Sequence, residues 1–154
     1  MTRAIVQRVL SASVHVGGEQ VAEIKNGIVL LVGVGAADKP EDGERLAAKI
    51  AGLRIFEEDG RMRKALGDVR GTALAVPQFT LYADARHGRR PEFTGAAPPD
   101  VGKRLFEAFC GALRGAGVEV QQGRFGASMR VVLEADGPVT IALSTDGWPE
   151  SQIG

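Results

Sequence analysis

The first third of the chain carries its apolar residues in strand patterns. Ala4-Ile5-Val6-Gln7-Arg8-Val9 leads into Ala12-Ser13-Val14-His15-Val16, which alternates with period two. Gly17-Gly18 predicts a hairpin turn, with Gln20 to Ile24 as the returning strand. Asn26-Gly27 marks a second turn. Ile28 to Val34 is then apolar throughout and rich in β-branched residues, as a strand buried on both faces requires.

The period changes at Lys39-Pro40-Glu41-Asp42, where acidic residues open a helix whose buried stripe is Leu46, Ile50 and Leu53. Arg54-Ile55-Phe56 runs into the charged turn Glu57 to Gly60, and Thr72 to Val76 forms a further strand stopped by Pro77. A polar loop spans 83–99. A second helix follows Pro98-Pro99, with Val101, Leu105, Phe109 and Ala112 toward the core and Gly115 and Gly117 at its end. Strands are predicted at Val118 to Gln121, Met129 to Glu134 and Val139 to Leu143. The pattern is that of a single, strand-rich α/β domain with two main helices. It occupies residues 1–145, with 146–154 a tail open to disorder.

Composition narrows the picture. A length of 154 residues suits one domain with a real core. The 19 basic and 19 acidic side chains cancel, which excludes a generic polyanion binder and leaves room only for a local basic patch. A single cysteine, Cys110, forms no intrachain disulfide, so a reducing, cytoplasmic setting is expected. No signal peptide or membrane-length apolar run is present. No cofactor or metal is predicted: two histidines, His15 and His87, are too few for a three-histidine site. Neither a Gly-x-Ser-x-Gly elbow nor a P-loop occurs. His15 reads as exposed strand surface and Cys110 as a packed thiol.

Two short runs remain. Gly137-Pro138-Val139-Thr140 contains an Xaa-Pro bond, the kind that tolerates cis, next to a residue without a Cβ to crowd a ligand. On its own it reads most simply as a turn between two strands. Pro77-Gln78-Phe79-Thr80-Leu81 offers an amide, a hydroxyl and backbone N–H groups able to hold an oxyanion. On its own it is a strand end, with Phe79 and Leu81 in the core.

Together, in this order and spacing, the two runs resemble the D-aminoacyl-tRNA deacylase (D-tyrosyl-tRNA(Tyr) deacylase) family. Further matches are Arg3 to Val9, Leu53-Arg54-Ile55-Phe56, Gly88-Arg89-Arg90-Pro91, Phe93-Thr94, Ala96-Ala97-Pro98-Pro99 and Gly123 to Met129. One position departs: Pro77 stands where the family usually has Ser, removing a hydroxyl and an N–H. The resemblance implies a layered β/β/α architecture with a barrel-like sheet and a homodimer with active sites at the subunit interface. It implies hydrolysis of the ester joining a D-amino acid, or glycine on a mischarged tRNA(Ala), to the 3′ acceptor end of tRNA.

In that reading Gln78, Phe79 and Thr80 are catalytic. Pro77, Phe125, Ala127, Met129, Gly137, Pro138, Val139 and Thr140 bind substrate and select its chirality. The Gly-Pro peptide is cis and reaches into the other subunit's site to reject L-aminoacyl esters. Arg86, Arg89 and Arg90 form the densest basic stretch and are the expected tRNA contacts, with Arg61, Arg63 and Lys64 a second cluster. The alternatives are a related deacylase of relaxed chirality acting on mischarged L-alanyl-tRNA, for which Pro77 speaks, and a non-catalytic nucleic-acid-binding module.

Overall fold

The structure, a computed structural model, describes residues 2–149. It contains strands β1 (Arg3–Val16), β2 (Glu19–Ile24), β3 (Gly27–Gly33), β4 (Phe56–Glu58), β5 (Arg61–Lys64), β6 (Thr72–Pro77), β7 (Glu119–Gln122) and β8 (Arg130–Ser144). Helix α1 spans Pro40–Gly52 and α2 spans Pro99–Gly115. The main sheet runs β2-β1-β3-β6-β7, with β8 along the other edge of β1. β3 and β6 are parallel, as are β6 and β7; the pairs made by β1 are antiparallel. The Glu23 N–H of β2 donates to Gln121 Oε1 of β7 at 3.1 Å, drawing the ends of the sheet toward a barrel.

The all-apolar run of β3 is explained by what lies on each side of it. Ile28, Leu30 and Val32 face one buried cluster with Ala73 and Ala75 of β6; it also takes Leu46 and Ile50 of α1 and Phe106, Phe109 and Leu113 of α2. Val29 faces a second cluster with Leu74 and Val76 of β6, and Val14 and Ile24 of the hairpin. The layers are therefore helices, central strands and a second β layer, as the family resemblance implies. Each side chain of this size contributes about 1.5–3 kcal/mol on burial. Cys110 is fully buried between these layers, and loss of water pushes its thiol up to about 12.

Four local expectations are corrected. The first two strand segments are one continuous 14-residue strand, in which Ser11 resumes the ladder with β8 after an irregularity at Leu10. The predicted turn at Gly137-Pro138 does not exist; β8 runs through it as a 15-residue strand carrying a bulge. Gln7 pairs with Thr140 and Val9 with Ala135, so Asp136 to Val139 bulge outward opposite Arg8. The buried stripe of α2 is Gly102, Leu105, Phe106, Phe109, Cys110 and Leu113, leaving Val101 and Ala112 at its margin. His15, expected on exposed strand surface, is instead half-buried, with its ring Nε2 2.9 Å from Ser13 Oγ on the same strand. Of the tail, Asp146 to Trp148 folds back on the domain, and 150–154 lie outside the described residues.

Replacing Phe109, 1% exposed between α2 and the sheet, by Ala is expected to cost about 3–5 kcal/mol in urea unfolding. An unchanged midpoint would contradict the assigned helix–sheet packing.

Candidate active site

The upstream motif begins where the parallel ladder ends. Pro77 pairs with Val32 but has no N–H, so the next residue takes over: Gln78 N–H donates to the Val32 carbonyl at 2.7 Å. The chain then tightens into a single 3-10 turn, Phe79–Tyr82, closed by Leu81 N–H to Gln78 O at 3.3 Å and Ala83 N–H to Thr80 O at 3.0 Å. As a consequence Phe79, which a straight strand would bury, is 58% exposed. Its ring meets Phe93 edge-on, with centroids 5.2 Å apart. The Gln78 side-chain amide donates to Thr80 Oγ1, which leaves the hydroxyl proton free to donate outward. Among the described residues, no acceptor is found for the N–H groups of Phe79 and Thr80.

The turn is braced from behind. A Cβ on Gly33 would come within 3.0 Å of the Gln78 carbonyl oxygen and 3.1 Å of Leu81 and Tyr82 side-chain atoms, so β3 and the turn approach closely because this residue is glycine. Arg3 Nη1 donates to the Leu81 carbonyl at 3.0 Å, and its guanidinium lies 4.2 Å from the Tyr82 ring centroid and 5.5 Å from that of Trp148. Asp146 accepts from Arg3 Nη2 at 3.0 Å. Burial alone would raise the Asp146 carboxyl, but hydrogen bonds from Arg3, the Trp148 N–H and Ser144 hold it below its usual range. Burial drives the Tyr82 phenol above its ordinary range, and its hydroxyl has no partner among the described residues.

In front of the turn lies a cavity of about 620 Å³, a size suited to a small organic ligand. It brings together six residues expected from the sequence: Pro77, Gln78, Phe79, Phe125, Ala127 and Met129. Thr80 stands outside the lining, held by Gln78. Ala96 and Ala97 form a further wall, pinned to the end of β3 by Ala36 N–H to Gly95 O at 2.9 Å and Ala97 N–H to Val34 O at 3.0 Å. Gly123 N–H to Ala75 O at 2.8 Å extends β7 and sets the loop carrying Phe125 to Met129.

The downstream motif does not line this cavity. Gly137, Pro138 and Thr140 are exposed on β8, and the Gly137-Pro138 peptide is cis. Gly137 has φ +119°, and a Cβ there would meet Val139 Cγ2 at 2.9 Å and Arg8 Nη2 at 3.0 Å. Gln7 holds the other end, donating to the Val139 carbonyl at 3.2 Å and accepting from Thr140 Oγ1 at 2.5 Å.

Arg8 supports the bulge from β1. Its side chain is 5% exposed; Nη1 donates to the Ile55 carbonyl at 2.7 Å and Nε reaches the Asp136 carbonyl at 3.3 Å and carboxylate at 3.2 Å. The expected tRNA contacts lie on the 83–99 loop. Arg86 is engaged by Asp84 at 2.6 Å, whose carboxyl is held far below its usual range by that hydrogen bond, while Arg89 and Arg90 are exposed.

Sequence reasoning did not single out Phe93, Ala96, Ala97 and Pro99 as cavity residues, although they sit in runs that matched the family. Arg3 and Arg8 lie in the Arg3-to-Val9 run that matched the family, but the run indicated no bracing role for either. A charged side chain within an otherwise apolar strand was the available signal for Arg8.

Known proteins can now be set beside this geometry. The D-Tyr-tRNA(Tyr) deacylase family profile matches residues 5–144. A D-aminoacyl-tRNA deacylase of Roseiflexus sp. (strain RS-1) is 54% identical over 144 residues, covering 93% of each chain. One from Thermotoga petrophila is also 54% identical, over 93% of this chain and 97% of its own. Among solved structures, the c-Myc DNA Unwinding Element Binding Protein superposes with TM-score 0.86 at 38% identity, over 93% of this chain and 98% of its own. A probable eukaryotic D-amino acid tRNA deacylase superposes with TM-score 0.81 at 19% identity, over 93% and 99% respectively, which speaks for the fold.

Arg8→Gln is expected to lower unfolding stability by about 2 kcal/mol, since charge-assisted hydrogen bonds to Ile55 and Asp136 are lost together. Urea unfolding checks this, and a loss below about 0.5 kcal/mol, the scale of an ordinary surface change, would refute the brace.

Proposed function

This chain belongs to the D-Tyr-tRNA(Tyr) deacylase family, and we propose that it hydrolyses the ester of D-aminoacyl-tRNA, releasing free tRNA and the D-amino acid. The observation that carries this reading is the cavity opening directly onto the Gln78–Thr80 turn. Water adds to the ester carbonyl, the C–O bond to the terminal ribose breaks, and the ribose oxygen leaves with a proton. An aminoacyl ester is already activated, so donors aimed at the developing oxyanion and a fixed substrate pose supply enough. The Phe79 and Thr80 N–H groups are the proposed oxyanion donors, and the Thr80 hydroxyl positions the ester. The ribose 2′-OH assists the attacking water, as the family resemblance implies.

Chirality is assigned to Gly137-Pro138. Its absence from the lining of its own chain's cavity makes sense if it serves the cavity of a second copy in a homodimer. Leu10, Val132 and Leu133, 48%, 48% and 40% exposed on the adjoining strands β1 and β8, leave apolar side chains on this part of the two strands for such a contact. The peptide carbonyls hold the substrate α-amino group, and backbone fills the space an L side chain would need. Glycine fits the same filter, so glycyl-tRNA(Ala) is a second substrate. Arg89 and Arg90 contact the acceptor stem, and the enzyme works in the cytoplasm. A purely nucleic-acid-binding role draws support from the name of the DNA-unwinding-element relative; the Gln78–Thr80 arrangement beside a cavity favours the enzyme.

Incubation with D-Tyr-tRNA and L-Tyr-tRNA separates these readings: ester loss from the D form alone is expected. Loss from both forms would support relaxed chirality, and loss from neither the binding module. Thr80→Ala and Gln78→Ala should each slow D-Tyr-tRNA hydrolysis about 10- to 100-fold, the range for a lost positioning or oxyanion group. If both variants kept wild-type rates, the pocket assignment would fail. Gly137→Ala, with its Cβ pressed against Val139 and Arg8, should lose discrimination against the L ester more than it loses folding stability.

A further inference from the structure

Next to the active cavity lies a second cleft of about 440 Å³, lined by His15, Gly17, Gly18, Ser128, Met129 and Arg130. Ser128 and Met129 line both spaces, so the cleft adjoins the cavity's wall on the side of the β1–β2 hairpin. We propose that this cleft holds a phosphodiester group of the RNA strand whose terminal nucleoside occupies the active cavity. The proposal rests on the reading of the substrate given above, and adds a route by which that strand leaves the site.

Register places the donors. His15 and Arg130 are directly opposed across the antiparallel β1–β8 pair, so both side chains project on one face about 5 Å apart at their Cβ atoms. Two basic side chains in direct opposition gain nothing from each other. Neither forms an ion pair with a carboxylate among the described residues. One ring nitrogen of His15 meets Ser13 Oγ at 2.9 Å, which fixes the ring plane and leaves the other nitrogen to a ligand.

The remaining wall is the hairpin turn. Gly17 and Gly18 have φ of +57° and +82°, and a Cβ at either would find no atom within 4 Å. Space is therefore not the constraint there, and a ligand can approach the turn's backbone. A guanidinium, an imidazole, the Ser128 hydroxyl and open backbone form a donor set for one anionic oxygen cluster. The chain is neutral overall, so such a contact must be local to matter. By contrast Arg86, in the most basic loop, is already engaged by Asp84.

The test compares two substrates that differ in this phosphodiester: D-Tyr-tRNA, and the D-tyrosyl ester of adenosine, which has no phosphate. Arg130→Gln is expected to raise KM for D-Tyr-tRNA about 10-fold with kcat unchanged, and to leave the adenosine ester's kinetics as in wild type. Arg130→Lys should restore most of the loss. In parallel, binding of an uncharged, fluorescently labelled RNA hairpin with the tRNA acceptor end is followed against salt. The slope of log K on log salt should fall by about 0.7 in Arg130→Gln, one single-strand phosphate contact. Inorganic phosphate at matched ionic strength should not compete, whereas a bare anion site would be blocked by it. Equal losses on both substrates, or an unchanged salt slope, would overturn the proposal. If wild-type protein hydrolyses neither ester, the deacylase reading fails, and the salt slope still decides the cleft.

Discussion

The parallel pairing of β3 with β6 is the constraint on which the rest depends. Both strands are apolar on both faces, so each face must be covered. Helices α1 and α2 cover one and the β1–β2 hairpin with its neighbours the other. A parallel pair cannot be joined by a tight hairpin, and the crossover here passes through α1 and the β4–β5 hairpin. Once this sandwich is set, the end of β6 is fixed in space to within a hydrogen bond. Proline at 77 ends the ladder there, and Gln78 N–H restores it for one residue before the chain turns. The Phe79–Tyr82 turn thus inherits its position from the deeply buried strands β3 and β6.

Two arginines of β1 serve as braces, one for each motif. Arg3 ties the Phe79–Tyr82 turn to the C-terminal segment through Leu81, Tyr82, Asp146 and Trp148. Arg8 ties the Gly137-Pro138 bulge to Ile55 and Asp136. A guanidinium suits both tasks because its planar fork reaches carbonyls and carboxylates in several directions at once. Burying such a group is costly unless every donor finds a partner, which is why the partners come from four separate segments. One strand thereby couples the placement of two motifs about 60 residues apart in sequence.

Much of this was legible in the pattern of apolar residues. Two-sided burial of Ile28 to Val34 and the stripe Leu46–Ile50 were written in the periods, because burial is what those periods record. The cavity residues Gln78, Phe79 and Met129 came instead from resemblance, since nothing in their local pattern separates them from core. The failures share one cause. A period of two cannot reveal a bulge, so β8 read as two strands with a turn. Nor could it show that Pro77 and the 3-10 turn would rotate Phe79 out of the core. Arg3 and Arg8 were invisible because their partners are distant in sequence, and only the fold brings those carbonyls within reach.

The separation of the two motifs within one chain bears on how selectivity can arise. The Phe79–Tyr82 turn is held by Gly33 and Arg3, and the bulge by Arg8 and Gln7; β8 lines the cavity at its start, through Val131, while the bulge further along the same strand does not. In the proposed reaction a filter that rejects by shape must be stiff, because discrimination vanishes if backbone can yield by the width of a methyl group. Stiffness within each half is present here. In the proposed homodimer, registration between a bulge and the partner's cavity would come from the contact between copies, where Leu10, Val132 and Leu133 lie near the bulge on the same two strands. The dimer would thus be part of the filter, and its apolar face would set chiral strictness along with assembly. Proline at 77 fits the same division of labour. It removes a donor on the catalytic side and leaves the braces of the bulge untouched, so any loss of strictness would have to arise at the turn.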